Sequence, residues 1–320
     1  MRIEIGPNEA GQRLDKFLRK WMKDVPLSAI YRSIRKGDVK VNGKKSKEKY
    51  SLTLGDIIET REISTENKNR VKFNRIDDND KLKITYEDEN MVLVEKWPGI
   101  LVHSDSKNKE ATLTDYVLSY LYDKGDYLPE KEITFTPAPC NRLDRNTPGI
   151  VIFGKNYEAL KLLNEMIRER KIKKYYQALV VGKLADKLYE GYIVKDRESN
   201  LSKVFEKPVS NSKKISMDVR TLETCGSYSL LEIELLTGRS HQLRAHLSTL
   251  GHPIIGDLKY GESKLNSFFY NKYGMAYQYL YAYKLIFRNC PDKFKYLENK
   301  TIAETLPPVL KKIKNDVFKF

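Results

Sequence analysis

The sequence predicts an α+β protein in two parts: a small basic module at the N-terminal side, and a larger body on a mixed, largely antiparallel sheet with flanking helices. Three observations lead there. Residues 1–60 carry 14 Lys plus Arg against 8 Asp plus Glu, a net charge of +6 in a segment too short to be the main body. Residues 61–80, REISTENKNRVKFNRIDDND, are polar with little periodicity and read as an exposed linker. From residue 81 on, short alternating apolar runs recur without the regular strand-helix-strand order of a doubly wound sheet. The expected divisions are a module over 1–61, a linker over 62–80 and a body over 81–320.

Each element has a local signal. In residues 11–22, Leu14, Phe17, Leu18, Trp21 and Met22 recur at three and four, the stripe of an amphipathic helix. Ser28 is placed to cap a second helix, with Ile30, Tyr31 and Ile34 on one face and Arg32, Arg35 and Lys36 on the other. Gly37 ends it, Val39 and Val41 alternate as a strand, and Asn42-Gly43 predicts a hairpin turn leading into Lys44. In the body, strands are expected at 91–94, after the Pro98-Gly99 turn, and at 149–153, 175–181, 217–222 and 228–236. Helices are expected at 157–168 and 241–250.

Composition narrows the function. The 320 residues carry a net charge of +15, which calls for an acidic partner. No apolar run reaches the ~20 residues of a membrane span, and no export signal opens the chain, so a cytoplasmic protein is expected. Cys140, Cys225 and Cys290 form no Cys-x-x-Cys pair, the four histidines lack metalloprotease spacing, and no GxxxxGK[ST] loop is present. These spacings take most of the weight from a metal or nucleotide reading. The cations of the first module, Arg32, Arg35, Lys36 and Lys44, read either as a phosphate-binding field or as an ordinary solvated face.

Three segments could carry chemistry. In CNRLDRNTPGIVIFGKN, Asp144 stands between Arg142 and Arg145 at a strand entrance. Adjacent cations would keep it ionised and fit to act as a nucleophile, or the group is a surface ion-pair cluster capping a turn. In KIKKYYQALVVG, Lys174, Tyr176 and Ala178 share one side of a strand. Tyr176 could offer a stacking face for a nucleobase, or simply be one of 21 tyrosines in a sheet that favours aromatics. In LLTGRSHQLRAHLSTLGHPIIGDLKYG, Gly238 suits a tight turn into a helix whose buried stripe is Leu243, Leu247 and Leu250. Arg239, His241, Gln242 and Arg244 then crowd its amino end, and Gly251 ends it. Arg244 has a planar fork suited to a carboxylate, and the histidines there read as capping or packing groups.

In this order the three segments resemble the large-subunit ribosomal pseudouridine synthases, over residues 84–103, 141–155, 174–182 and 237–261, and more weakly from LYAYKLIF to LPPVLKKI. AGQRLDKFL through SAIYRSIRKGDVKVNGKK resembles the RNA-binding domain named after ribosomal protein S4. The resemblance implies an S4-like domain in front of a pseudouridine synthase catalytic domain. It puts Asp144 at the family's catalytic aspartate, Tyr176 at the tyrosine that stacks on the target uracil, and Arg244 at the basic residue pairing with the aspartate. Arg142 falls at an arginine that helps displace the target base. The implied partner is large-subunit rRNA or an assembling ribosomal subunit, bound by a monomer without cofactor. Transfer RNA is the alternative substrate, and a non-catalytic RNA-binding or ribosome-assembly factor the alternative of another class. Three positions depart from the family pattern: Asn141 for the usual histidine, Lys96-Trp97-Pro98-Gly99 for Lys-Pro-x-Gly, and Tyr281 where relatives often have histidine.

Overall fold

The structure is a computed structural model that describes residues 1–61, 75–77, 81–104, 110–196 and 201–319, so the expected linker, apart from 75–77, lies outside the described residues. The first domain comprises β1 (Arg2–Glu4), α1 (Leu14–Trp21), α2 (Leu27–Lys36), β2 (Val39–Val41), β3 (Lys44–Lys45) and β4 (Ile57–Thr60), its strands ordered β1-β4-β2-β3. The helical spacing of Leu14, Phe17 and Leu18 turns all three onto Ile30, Ile34, Val39 and Val41, and together they form the core of this domain. The chain turns where its residues demand it: Gly37 is left-handed at φ 82°, and Asn42 and Gly43, at φ 51° and 72°, make the tight turn between β2 and β3.

Two local expectations are corrected here. α1 starts at Leu14 rather than residue 11, because Gly11, at φ 79°, donates its N–H to the Leu52 carbonyl at 2.7 Å instead of entering the helix. α2 starts at Leu27 behind Pro26, which is fixed in an extended conformation, and no side chain caps it; Ser28 is already inside the first turn.

The larger domain runs β5 (Lys83–Glu87), β6 (Met91–Lys96), α3 (Leu113–Lys124), β7 (Ala138–Pro139), β8 (Gly149–Gly154), α4 (Tyr157–Arg168), β9 (Ile172–Val181), β10 (Lys187–Lys195), β11 (Ser202–Phe205), β12 (Lys213–Cys225) and β13 (Tyr228–Leu235). After these come α5 (Gln242–Thr249), α6 (Ser263–Tyr273), β14 (Leu280–Phe287), a 3-10 turn (Asp292–Leu297), β15 (Thr301–Ala303) and α7 (Pro308–Phe318). Its sheet is ordered β11-β10-β12-β13-β9-β14-β8-β6-β5, with β15 beside β14 and β7 beside β8. All described pairings are antiparallel except β14 with β8, which meet in parallel at Ala282 and Gly149. That junction admits only glycine: a β-carbon at 149 would lie 2.3 Å from the Ala282 carbonyl oxygen.

β6 is buried on both faces, because Val92 and Val94 face one core while Met91 and Leu93 face the other. The apolar run after Pro98-Gly99 is not a strand. The carbonyls of Leu101 and Val102 instead accept the N–H groups of Leu113 and Thr114 at 2.8 and 3.0 Å, closing the open amino end of α3. The two domains touch through polar groups. Asn8 donates to both oxygens of Glu132 at 2.9 and 3.0 Å and accepts the Tyr157 N–H at 3.1 Å, while Ile133 packs against the small core.

Candidate active site

At the centre of the sheet, the loop before β8, the strand β9 and the start of α5 line one open cleft of about 620 Å³. Asp144 stands on the loop, Tyr176 on β9 and Arg244 on α5. The Arg244 guanidinium donates Nη1–H to Asp144 Oδ2 at 3.1 Å, across 100 positions of sequence. Asp144 therefore pairs with Arg244, and not with the two arginines adjacent in sequence. Arg145 turns away to Glu110, 3.0 Å distant, and Arg142 stays exposed at the cleft. Asp144 opens a turn, its carbonyl accepting the Thr147 N–H at 3.0 Å, and its carboxylate meets a residue distant in sequence rather than its neighbours.

Arg244 is itself held from behind. Its Nε and Nη2 donate to the two oxygens of Asp257 at 2.7 and 2.8 Å, a bidentate pair in which Asp257 is wholly buried. Burial alone would lower the arginine's pKa, but hydrogen bonds and charge from Asp257, with the charge of Asp144, outweigh it and raise it further, so the guanidinium stays charged. Asp257 follows Gly256, left-handed at φ 79°, where a β-carbon would meet the Tyr277 carbonyl at 2.5 Å. The Lys259 and Tyr260 N–H groups also bond Asp257 Oδ1, at 2.9 and 3.1 Å.

The Asp144 loop is braced on three sides. Lys96, fully buried at the end of β6, donates to the carbonyls of Trp97, Ile100 and Arg145 at 3.0, 3.0 and 2.7 Å. Burial pulls its pKa down to about 7, against the opposing charge of Asp144. Gln278 donates to Thr147 Oγ1 at 2.8 Å. Asn141 accepts the Ile152 N–H at 2.8 Å and donates to the Ile150 carbonyl at 3.3 Å, so the residue that departs from the family pattern pins the loop to β8. Tyr281, another departure, points its hydroxyl to Glu95 at 2.5 Å and to the Thr305 carbonyl at 3.1 Å.

The turn into α5 also differs from expectation. Its left-handed residue is His241, at φ 53°, rather than Gly238. Gln242 fastens that turn by accepting from Thr237 Oγ1 and the Arg239 N–H, at 2.9 and 3.1 Å, and donating to the Ser216 carbonyl at 3.1 Å. His241 meets the Tyr260 hydroxyl at 2.9 Å, His252 meets the Val181 carbonyl at 2.8 Å, and His246 is buried against Tyr189. Among the described residues no group of three His, Cys, Asp or Glu could hold a metal ion.

Tyr176 is almost wholly buried, and burial, followed by the charge of Asp144, raises its phenol well above the usual value. It is a neutral phenol at physiological pH. Arg32, Arg35, Lys36 and Lys44 are all exposed on the first domain, and none lines the cleft. Sequence reasoning passed over Asp257, Lys96 and the bracing role of Gln242. The available signals were a lysine and an aspartate beside apolar runs, in MVLVEK and PIIGD.

A clamped carboxylate in a cleft whose other charged side chains are all basic, behind a basic helix-and-hairpin domain, is the layout of an enzyme that works on a polyanion. Comparison with known proteins agrees. Residues 90–249 match the RNA pseudouridylate synthase family and residues 12–58 match the S4 domain. The ribosomal large subunit pseudouridine synthase C of Vibrio parahaemolyticus is 32% identical over 96% of this chain and 95% of its own. An uncharacterized RNA pseudouridine synthase of Mycoplasma capricolum is 34% identical over 94% of this chain and 96% of its own. Human RNA pseudouridylate synthase domain containing 4 shares the fold, with a TM-score of 0.56 and 24% identity over 72% of this chain and 90% of that one. The chain belongs to the RNA pseudouridylate synthase family and carries an S4 domain ahead of the catalytic one. Among the described residues no helix is long and apolar enough to cross a membrane.

Proposed function

We propose that this protein isomerises uridines of large-subunit rRNA to pseudouridine, in the cytoplasm, as a monomer and without cofactor, with Asp144 as the nucleophile. The observation that carries the reading is that Asp144 is the one carboxylate among the described residues lining the cleft, held 3.1 Å from Arg244 and in the same cleft as Tyr176. The names of the bacterial relatives support the choice of rRNA. Residues 1–61 grip structured RNA, residues 62–80 connect, and residues 81–320 do the chemistry. Arg32, Arg35, Lys36 and Lys44 meet backbone phosphates, and Arg142, at the cleft, fills the space the target base leaves.

The chemistry needs few groups. A uridine leaves its stack, at a cost of a few kcal/mol, offset by ~1–3 kcal/mol of stacking on Tyr176 and by backbone contacts. An Asp144 oxygen adds to the anomeric carbon or to the uracil ring, and by either route the C1′–N1 bond breaks. The base turns, C5 bonds to C1′, the bond between Asp144 and carbon breaks to return the free carboxylate, the C5 proton leaves and N1 gains one, so the mass of the RNA is unchanged. Arg244 keeps the carboxylate oriented throughout. A tyrosine this buried contributes its ring face, and water relays the C5 proton.

The test is to incubate purified protein with transcripts of large-subunit rRNA and of tRNA, then map pseudouridine. Product in rRNA that disappears with Asp144→Asn is expected. Product surviving that substitution, modification of tRNA alone, release of free uracil, or tight binding without product would each overturn a named part of the reading.

A further inference from the structure

Three cations are deeply buried in the catalytic domain with partners of their own: Lys96 has three carbonyls, Lys155 has Glu87 and Asp126, and Arg244 has two aspartates. Lys174 is different. It precedes Tyr176 by two positions on the same face of β9, lines the same cleft as Asp144, and its ammonium has no hydrogen-bond or ion-pair partner among the described residues. Burial pushes its ammonium below the ordinary lysine value, and no carboxylate opposes the shift. A cation withdrawn from water without a counter-charge is costly, so it persists where a ligand supplies the missing charge. Gly238 borders the ammonium on the cleft wall: an added β-carbon there would sit in ordinary contact, 3.9 Å from Lys174 Nζ. Arg170 and Arg239 line the same cleft.

We propose that Lys174 seats a backbone phosphate of the bound RNA beside the target nucleotide, with Arg170 and Arg239 flanking the strand. The assignment rests on the function proposed above. A phosphodiester oxygen brings the full negative charge that the site lacks, whereas a uracil carbonyl is neutral and would leave the ammonium uncompensated. The two-residue step along β9, roughly 7 Å, separates the ring that takes the base from the ammonium that takes the backbone. RNA is thus held by two kinds of cation: exposed ones on the first domain, and a half-buried one next to the chemistry.

The test uses full-length protein carrying Asp144→Asn, so that binding is read without turnover. Lys174→Met, Lys174→Arg and unchanged Lys174 are compared by fluorescence anisotropy with a labelled large-subunit rRNA transcript across a salt series. Lys174→Met is expected to weaken binding about tenfold or more and to flatten the slope of log affinity against log salt by about 0.7–0.9. Lys174→Arg should keep most of the affinity. Because it removes an uncompensated charge, Lys174→Met should also leave the thermal midpoint unchanged or raised. Parental affinity and slope in the Met variant overturn the proposal, as does an affinity loss that comes with a lowered midpoint and that Arg fails to rescue. Pseudouridine formation is measured in parallel with Asp144 intact. Absence of product from the unsubstituted protein sinks the function reading, while the salt slope still decides the phosphate seat.

Discussion

Positive charge is handled in opposite ways by the two domains. Around the cleft, Arg244 and Lys96 are withdrawn from water and every oxygen they touch is fixed by the fold, so their effect depends on angstrom geometry. On α2 and its hairpin, Arg32, Arg35, Lys36 and Lys44 stand in solvent and pair with no acidic side chain among the described residues. Their effect is a field, screened over ~10 Å at ordinary salt. A buried charge orients a single reacting group; exposed charges attract a long polyanion without dictating which residue of it arrives. The same residue types thus serve precision in one place and reach in the other.

The contrast can be broken by experiment, and the largest effect should come from Asp257. Asp257→Asn leaves a buried guanidinium without its bidentate partner, so urea unfolding should show a loss of about 3–5 kcal/mol. Turnover should fall with little change in RNA affinity, because Arg244 is then free to collapse onto Asp144. Unaltered stability would mean that the pair does not anchor Arg244.

The next effect is acid sensitivity. Burial lowers the His246 pKa to about 4, below its unfolded value of ~6.5, so the folded state resists its protonation. The stability it confers is complete above pH 6.5 and is lost as pH falls toward 4, a change of up to about 3 kcal/mol. In the first domain the corresponding loss lies lower. Burial alone would raise Asp15, but hydrogen bonds from Arg13 and Tyr31 outweigh it and hold the carboxyl below its usual value, so stability there falls only under the ordinary carboxylate range. Unfolding measured at pH 7 and 4.5 should therefore be strongly pH-dependent in the parent and flatter in His246→Gln.

Smaller still, Asn141→Ala orphans the Ile152 N–H and should cost about 1–2 kcal/mol, with a lower turnover as the Asp144 loop loosens. Last, replacing Arg32, Arg35 and Lys36 together by Gln should move stability by less than about 0.5 kcal/mol. RNA binding should weaken, with a salt slope shallower by roughly 0.7–0.9 per lost phosphate contact. If that triple variant lost turnover at saturating RNA as well, the separation between field and geometry would be wrong.

Legibility followed the range of the interaction. The helix at Tyr157–Arg168, the turn at Asn42-Gly43 and the shared face of Lys174 and Tyr176 are all written in spacings of two to four residues, and all three stand in the structure as the sequence predicts. β10, β11, α3 and α6 went unread because their patterns are weak. α3, for example, spreads apolar and polar residues around its whole circumference, LTDYVLSYLYDK, with only part of that surface buried. Within the site, residue types made Asp144, Tyr176 and Arg244 candidates beside plainer readings, the family resemblance gave them their expected roles, and the pairing of the aspartate with Arg142 and Arg145 suggested by adjacency is absent from the structure.

What the sequence by itself determined was local: which segments coil or extend, where glycine and asparagine reverse the chain, and which side chains share a face. Backbone sterics and periodic burial act over a few residues, so a linear string records them. Only the tertiary structure decided that Arg244 reaches Asp144 across 100 positions, that Asp257 braces it from behind, and that Asn8 joins Glu132 across 124. Those contacts arise from the close approach of strands and loops distant in sequence, at junctions such as Gly149 against Ala282, and no neighbouring residue encodes them.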